Sequence, residues 1–481
     1  MLLRSGKRTK PYSSSSADPI GNDAFAKLPE ELIQSIISHL PIKEAVKTSL
    51  VSKKWRFRWR KHLNLDLDLS QIYQGNHRLS DLRLVGKALE LKYVEWVNNA
   101  VRSHQGGNIE TVRISTTLPC EYSAQVDQWI RFAFDKRVSN LAVDLSKYVY
   151  NDTQERYVIP DWFVSYGGVG SNLRSLSLGS VELGHLEFGR FWLLQSLTLR
   201  KVHVKQELVD GIMSNCVKLE HLALWKCFGP AVIKFKVSKQ LKHLGVSGYL
   251  DSLRKIEISD ACTCSLESVE CVGNSIKSHL FKPISTLKKL SIVGGFPDEI
   301  SGLNYVTSGL PYHVANLKTL HMCMYSIVLE YNRFEMPVNL PTFNKLRHLV
   351  LYDGYGETRT LLKLVTIFLR MMPFLHYLDL SHHSYVSRSG KIKLLPVESC
   401  THNNLKVIKT NNFVYHQGVN LIVYFLQNAT NLERIEIHRK KRIISRDSEG
   451  CVELSSCNVS PKTIERWFRS NVHYHAKLEV C

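Results

Sequence analysis

The strongest constraint on this fold is a six-residue pattern, L-x-x-L-x-L with Ile or Val as variants, that keeps returning along the chain. It reads IETVRI, VSNLAV, LRSLSL, LQSLTL, LEHLAL, LKHLGV, LESVEC, LKKLSI, LKTLHM, LRHLVL, LHYLDL, LKVIKT and LERIEI, starting at positions 109, 138, 173, 194, 219, 241, 266, 287, 317, 346, 375, 405 and 432. Eleven of the twelve intervals lie between 21 and 30 residues, and the exception, 138 to 173, is 35. A period of that length, sustained so far, marks a solenoid. Within each hexamer the fourth and sixth residues share one strand face and point into a core, while the third and fifth point away from it. One such strand cannot bury its face alone. The copies must stack into a parallel sheet, each strand followed by a crossover that carries the chain back. VKQELVDGIMSNCVK (204–218) and TLLKLVTIFLRMMPF (360–374) have the apolar spacing of crossover helices. LRKIEI at 253 is too close to its neighbours for a full unit and reads as a return stroke.

The pattern resembles the leucine-rich repeat over roughly residues 105–440, which implies an α/β solenoid with a parallel sheet on the concave side and helices and loops on the convex side. It departs from the family in one respect. The Asn or Cys expected beyond each strand is met by Cys227, whereas Val181, Val202, Gly295, Tyr325, Gly354 and His383 stand at the equivalent places. Irregular geometry and uneven loops are therefore expected.

Ahead of the repeats lies LPEELIQSIISHLPIKEAVKTSLVSKKWRFRW, residues 28–59. Pro29 suits a first helical turn, where a missing N–H costs nothing, and Glu30 and Glu31 favour the positive end of the helix dipole. Leu32, Ile33, Ile36, Ile37 and Leu40 recur at helical spacing, and Pro41 ends that helix. Ile42, Ala45, Val46 and Ser49 then form one stripe, and Leu50, Val51, Trp55 and Trp59 another, predicting two further short helices. So small a core is marginal alone, which leaves apolar surface in want of a partner. Lys53, Lys54, Arg56, Arg58, Arg60 and Lys61 read either as a phosphate grip or as a solvated helix rim. Helical phase sends Trp55 and Trp59 to one side and most charges to others, which favours the rim.

The two LP pairs and the S-L-V-S-K-K-W run resemble an F-box, a three-helix module, over residues 23–67. The resemblance implies docking onto a Skp-family adaptor and through it a cullin. The residues carried over are Leu28, Pro29, Leu32, Ile33, Ile36, Leu40, Pro41, Val46, Leu50, Val51, Trp55 and Trp59, shared between the module's core and its adaptor face. Trp59 stands between two roles, adaptor anchor or plug between F-box and solenoid. At the other end, residues 405–442 resemble the FBD region of plant F-box/leucine-rich-repeat proteins, with strand, loop, helix and strand. The acidic residues usual before that helix are missing around Val419 to Ile422, and two more repeats with a cap is the alternative. The resulting order is a disordered basic and Ser-rich arm (1–22), F-box (23–67), helical linker or N-terminal cap (68–104), solenoid (105–404), and FBD-like region with C-terminal cap (405–481).

Charge bears on partners. With 63 Lys+Arg against 43 Asp+Glu the net charge is +20, which suits acidic partners. His221, His243 and His348 occupy third positions of their hexamers and His321 a fifth, with Lys289, Lys409 and Arg434 on the same face. These seven form a candidate target-binding face for an acidic or phosphorylated segment, tighter when the histidines are protonated near their usual pKa of about 6.5. The alternative is that they are tolerated surface residues. His221 and His243 are expected about 5 Å apart if their strands are neighbours.

Enzyme signatures are missing: no G-x-S-x-G elbow, phosphate-binding P-loop or H-E-x-x-H pair occurs. Eleven scattered cysteines suit a reduced interior, and Cys262, Cys264 and Cys271 fall one short of a four-ligand zinc set. No cofactor or metal is expected. The N-terminus lacks the apolar core of a secretory signal, and residues 361–380 carry Lys363, Arg370, His376 and Asp379, so they read as an amphipathic helix followed by a strand. The basic arm before residue 11 suits a nuclear signal or a solubilising tail, which leaves cytoplasm, nucleus or both. The family resemblance implies a non-catalytic substrate receptor of a Skp-cullin-F-box ubiquitin ligase. The alternative is a scaffold or nucleic-acid-associated repeat protein using its charge directly.

Overall fold

A computed structural model describes residues 28–480 except 51–53, 73–85, 119, 146–154, 168–171, 185–187, 237–238, 249–252, 254, 260–264, 273–283, 295–304, 325–339, 354–357, 383–399, 412–414, 439, 445–450, 457–460 and 472–475. Its spine is a 15-stranded parallel sheet in which strand order follows chain order. All thirteen hexamers supply a strand, and each strand begins at its hexamer's third residue, from Thr111–Ser115 to Arg434–His438. Fourth and sixth positions are buried throughout the middle: Leu197 and Leu199, Leu222 and Leu224, Leu290 and Ile292. Each such side chain withdrawn from water contributes about 1.5–3 kcal/mol, and the ladder repeats it strand after strand.

Two strands of this sheet lie outside the recognised pattern. Asn64–Asp68 pairs in parallel with Thr111–Ser115, and Lys477–Val480 pairs with Arg434–His438. The first follows HLNLDL, where buried His62 stands in the usual Leu position. The sheet therefore starts inside the stretch expected to close the F-box, and the expected linker contains a crossover helix, Gly86–Ser103, between its first two strands. LRKIEI forms Lys255–Ser259, which pairs with Val232–Lys236 in a separate two-stranded sheet. The expected helices appear at Gln206–Asn215 and Thr358–Met371, and the latter leads into the strand Tyr377–His382. Among the described residues no helix is long and apolar enough to cross a membrane. The C-terminal order is strand Val407–Asn411, helix Tyr415–Asn428, strand Arg434–His438, an antiparallel hairpin and the helix Pro461–Asn471.

Three of the turns that precede a strand carry a tie of their own. Asn316 Nδ2 donates to Ser285 O (2.6 Å), Asn404 Nδ2 to Pro373 O (2.9 Å) and Asn431 Nδ2 to Asn403 O (2.7 Å). Each asparagine directly precedes the first apolar residue of a hexamer and reaches the preceding repeat. Beyond the strands, Cys227 is buried with its thiol toward Leu199 O, 3.4 Å away, while Val181 and Val202 bring only apolar contact. The other four positions singled out there, Gly295, Tyr325, Gly354 and His383, lie outside the described residues.

Candidate functional sites

In the N-terminal module, α1 (Glu30–Ser38) begins after Pro29 and α2 (Ile42–Lys47) after Pro41, both prolines in extended backbone. The chain then tightens into 3-10 turns at Thr48–Leu50 and Arg58–Lys61. The third α-helix expected around the tryptophans is not formed among the described residues. Phe57, at φ 66°, occupies the left-handed region and breaks the helical phase, so Trp55 and Trp59 are not successive positions of one helix.

The helical stripe divides cleanly. Ile33, Ile37, Ala45 and Trp55 form a closed core, with Leu28, Leu40 and Trp59 packed against it. Leu32 (51% exposed), Ile36, Val46 and Leu50 (89% exposed) point to solvent, as does Phe57. Pro29 and Pro41 are also exposed, and Val51 lies outside the described residues. Of the residues shared between core and adaptor face, Trp55 thus stands on the core side, as an internal pillar. Trp59 packs against both the module's core and the solenoid's, as a plug between them. Ile42, expected in the small core, instead belongs to the solenoid core.

That joint is well bonded. His62 Nε2 donates to Leu40 O (2.9 Å) while its Nδ1 accepts from the Asn64 N–H (3.0 Å), an arrangement only the neutral ring satisfies. Burial lowers the His62 pKa accordingly. Gln34 Nε2 donates to Lys61 O (2.7 Å), and the Gln105 N–H donates to Arg60 O (2.7 Å). Much of the basic group is engaged within the module. Lys54 donates to Leu28 O, Arg58 pairs with Glu30, and Arg56 and Arg60 lie over the Phe57 ring. Phe57 had no sequence signal, since a left-handed turn leaves no periodicity.

The open face of the sheet carries the seven other candidates. His221 and His243 are register partners, their rings stacked at 4.3 Å and 8°. His348 meets Tyr377 edge-on at 4.4 Å and lies 6.0 Å from His321. Burial pushes His321 down to about 4, helped by the charges of Lys289 and His348. Burial likewise lowers His348, with Lys289 adding, and His243, with His221 adding. The expectation that these histidines charge near 6.5 is therefore wrong for three of the four, because the neighbouring strands desolvate them. The face is also not uniformly basic. Lys409 stands in register between Asp379 and Glu436, and Arg434 Nε pairs with Glu436 at 3.0 Å. Lys289 is flanked by Glu270, whose pKa burial raises and Lys289 moderates. Cys271 is fully buried, its thiol pushed up to about 12 by burial, and Cys262 and Cys264 lie outside the described residues.

Known proteins give this arrangement a context. A family model described as At1g61320/AtMIF1, LRR domain, matches residues 100–481, and an F-box domain model matches residues 25–66. Neither describes an enzyme. The F-box/FBD/LRR-repeat protein At1g13570 of Arabidopsis thaliana is 24% identical over 321 residues, covering 62% of this chain and 68% of that protein. The F-box/LRR-repeat protein At3g03360 of the same plant is 24% identical over 267 residues, covering 53% and 46%. Six further Arabidopsis relatives align over half of their own length or less. A chain of the yeast Rad7 and Elc1 complex is 13% identical and covers 88% of this chain and 94% of its own, with a TM-score of 0.29. A chain of the TLR13–ssRNA13 complex is 12% identical, covers 89% and 63%, and scores 0.31. Those two scores are too low to carry an argument. With most of its length matched and an F-box docked ahead of the repeats, the chain belongs to the leucine-rich-repeat family described as At1g61320/AtMIF1 and is an F-box/LRR-repeat protein.

Proposed function

We propose that this protein is a non-catalytic substrate receptor of a Skp-cullin-F-box ubiquitin ligase, acting in the cytoplasm, the nucleus or both. The F-box docks a Skp-family adaptor, and the repeats hold a target whose lysine is thereby brought near a ubiquitin-charged enzyme elsewhere in the assembly. The rate gain is one of proximity, with no reacting group on this chain. The observation that carries the reading is the separation of roles within α1 and α2. Ile33, Ile37, Ala45 and Trp55 complete a core, and Leu32, Ile36, Val46 and Leu50 remain as an aliphatic face that is exposed among the described residues. The hydrogen-bonded joint supports the same reading, because a receptor that positions its target needs a fixed angle between its docking and holding parts. A nucleic-acid role for the N-terminal basic group is disfavoured by the contacts that Lys54, Arg58, Arg56 and Arg60 make within the module.

The test is co-purification with a Skp-family adaptor. Leu32→Asp combined with Leu50→Asp should weaken association by at least about 2 kcal/mol, some thirtyfold, because apolar anchors dominate such interfaces. Its thermal midpoint should move little, since neither side chain belongs to the buried core. Trp55→Ala should instead lower the midpoint through the cavity it leaves. Undiminished adaptor binding by the double variant sinks the proposal.

A further inference from the structure

The second residue of each hexamer lies on the rim where the chain enters the sheet, and along this rim charges pair between neighbouring repeats. Lys242 pairs with Glu220 at 2.8 Å, Lys288 with Glu267 at 2.6 Å and Lys406 with Glu433 at 2.7 Å. Between the last two pairs the alternation fails. Lys318 and Arg347 hold the second positions of consecutive repeats, and neither has a carboxylate partner among the described residues. Arg347 bonds Leu346 O and Phe374 O and lies over the Phe374 ring. Among the described residues Lys345 bonds the Asn316 amide oxygen alone, at 2.6 Å. The Lys318 ammonium has neither ion pair nor hydrogen bond among the described residues.

This imbalance borders an open cleft of about 520 Å³, lined by Lys288, Lys318, Lys345, Asn316, Thr286 and Glu267 together with two serines. Three ammonium groups against one carboxylate leave two positive charges. A phosphomonoester carries about −1.5 to −2 at neutral pH and offers three acceptor oxygens. Lys288 and Lys318 directly precede adjacent strands, and the Lys318 N–H donates to Lys288 O at 2.8 Å, so their flexible stems can converge on one group. The lining hydroxyls of Thr286 and Ser265 and the Asn316 amide already donate to backbone carbonyls, so the lysines are the groups that would hold the anion.

We propose that this rim cleft binds the phosphoryl group of a phosphorylated serine or threonine segment in a partner protein. The proposal rests on the reading of the repeats as the target-holding part, and it places the acidic-ligand site on the rim instead of on the open face. A nucleic-acid strand fits less well. Its backbone charges come every few ångströms and call for a continuous basic track, whereas the neighbouring ion pairs interrupt this one. The cleft lining also contains no aromatic ring on which a base could stack.

The experiment uses the immobilised full chain and a randomised seven-residue peptide pool centred on phosphoserine, with the unphosphorylated pool and a twelve-nucleotide oligouridine as comparators. The phosphorylated pool should be retained at least tenfold better than its unphosphorylated counterpart, and the Lys318→Ala, Lys345→Ala double variant should abolish that difference. Both lysines are exposed, so an unchanged thermal midpoint verifies the fold. Equal retention of the two pools, retention unaffected by the double variant, or lysine-dependent capture of oligouridine without the phosphopeptides each overturns the proposal. Adaptor co-purification is scored in parallel. Its loss in Leu32→Asp, Leu50→Asp should leave phosphopeptide capture intact, so failure of docking and failure of the cleft are told apart.

Discussion

At the scale of single residues, burial decides what a side chain is for, and it divides residues that look alike in sequence. Leu32 and Ile33 are neighbours of similar chemistry, yet one is half in water and the other fully enclosed. Trp55 and Trp59, which helical spacing treats as equivalent, become a core pillar and an interdomain plug. Histidines show the same effect in their protonation. His402 is buried with Nε2 3.1 Å from Tyr424 Oη, and its pKa is pushed down to about 4 by burial, with Arg370 adding; His321 also falls to about 4. Both are neutral in the fold between about 4 and about 6.5, where the unfolded chain binds a proton. Their stability contribution is therefore complete above about 6.5 and lost as pH falls toward 4, on the order of 2 kcal/mol for His402. Urea unfolding at pH 7 and pH 5 should show this decline, and His402→Gln should reduce it. A variant with an unchanged slope rules out His402 as a source.

At the scale of elements, the repeat is held at two places that differ in legibility. The apolar face was written in the spacing of every hexamer. The rim was not, because Asn316, Asn404 and Asn431 act on carbonyls about one repeat back, a contact that no local pattern encodes. Asn316→Ala should destabilise the chain by about 1 kcal/mol, chiefly through the lost bond to Ser285 O since the Lys345 bond is exposed, read as a lower urea midpoint at unchanged slope. A midpoint equal to wild type would show the tie to be idle. Close approach sets another local limit at Gly245, where a Cβ would lie 2.6 Å from Trp225 Cζ2. A side chain there must displace the indole that covers this part of the open face. In the F-box the element-level expectation failed for a plain reason: a single left-handed residue, Phe57, ends the helical phase on which the third-helix reading depended.

At the scale of the whole molecule, a solenoid has two ends, and each must be covered because an open strand edge invites pairing with another chain. The F-box covers the first end through Ile42, Trp59 and His62. Beyond Arg434–His438 the sheet continues with the strand Lys477–Val480, and Ile464 and Phe468 of the preceding helix are fully buried in the core. A chain ending at residue 438 should thus lose its cap, expose the strand Arg434–His438, and elute as larger species with a lower thermal midpoint. A monomeric truncation of wild-type stability would show that residues 439–481 do not serve as a cap.

The sequence by itself determined the class of fold, thirteen of the fifteen strands described in the main sheet, the crossover helices at Gln206–Asn215 and Thr358–Met371, and the apolar character of the F-box. These follow from local periodicity, since a strand or helix must turn its hydrophobic residues to one side wherever it is later placed. Only the tertiary structure decided which half of the F-box stripe faces outward, that His62 takes a leucine's place beside the first strand, and that burial lowers the pKa of His243, His321 and His348. Those outcomes depend on desolvation and on partners far apart in the chain. The unbalanced lysines at 318 and 345 belong with them, because an excess of charge exists only after neighbouring repeats have brought their acids and bases side by side.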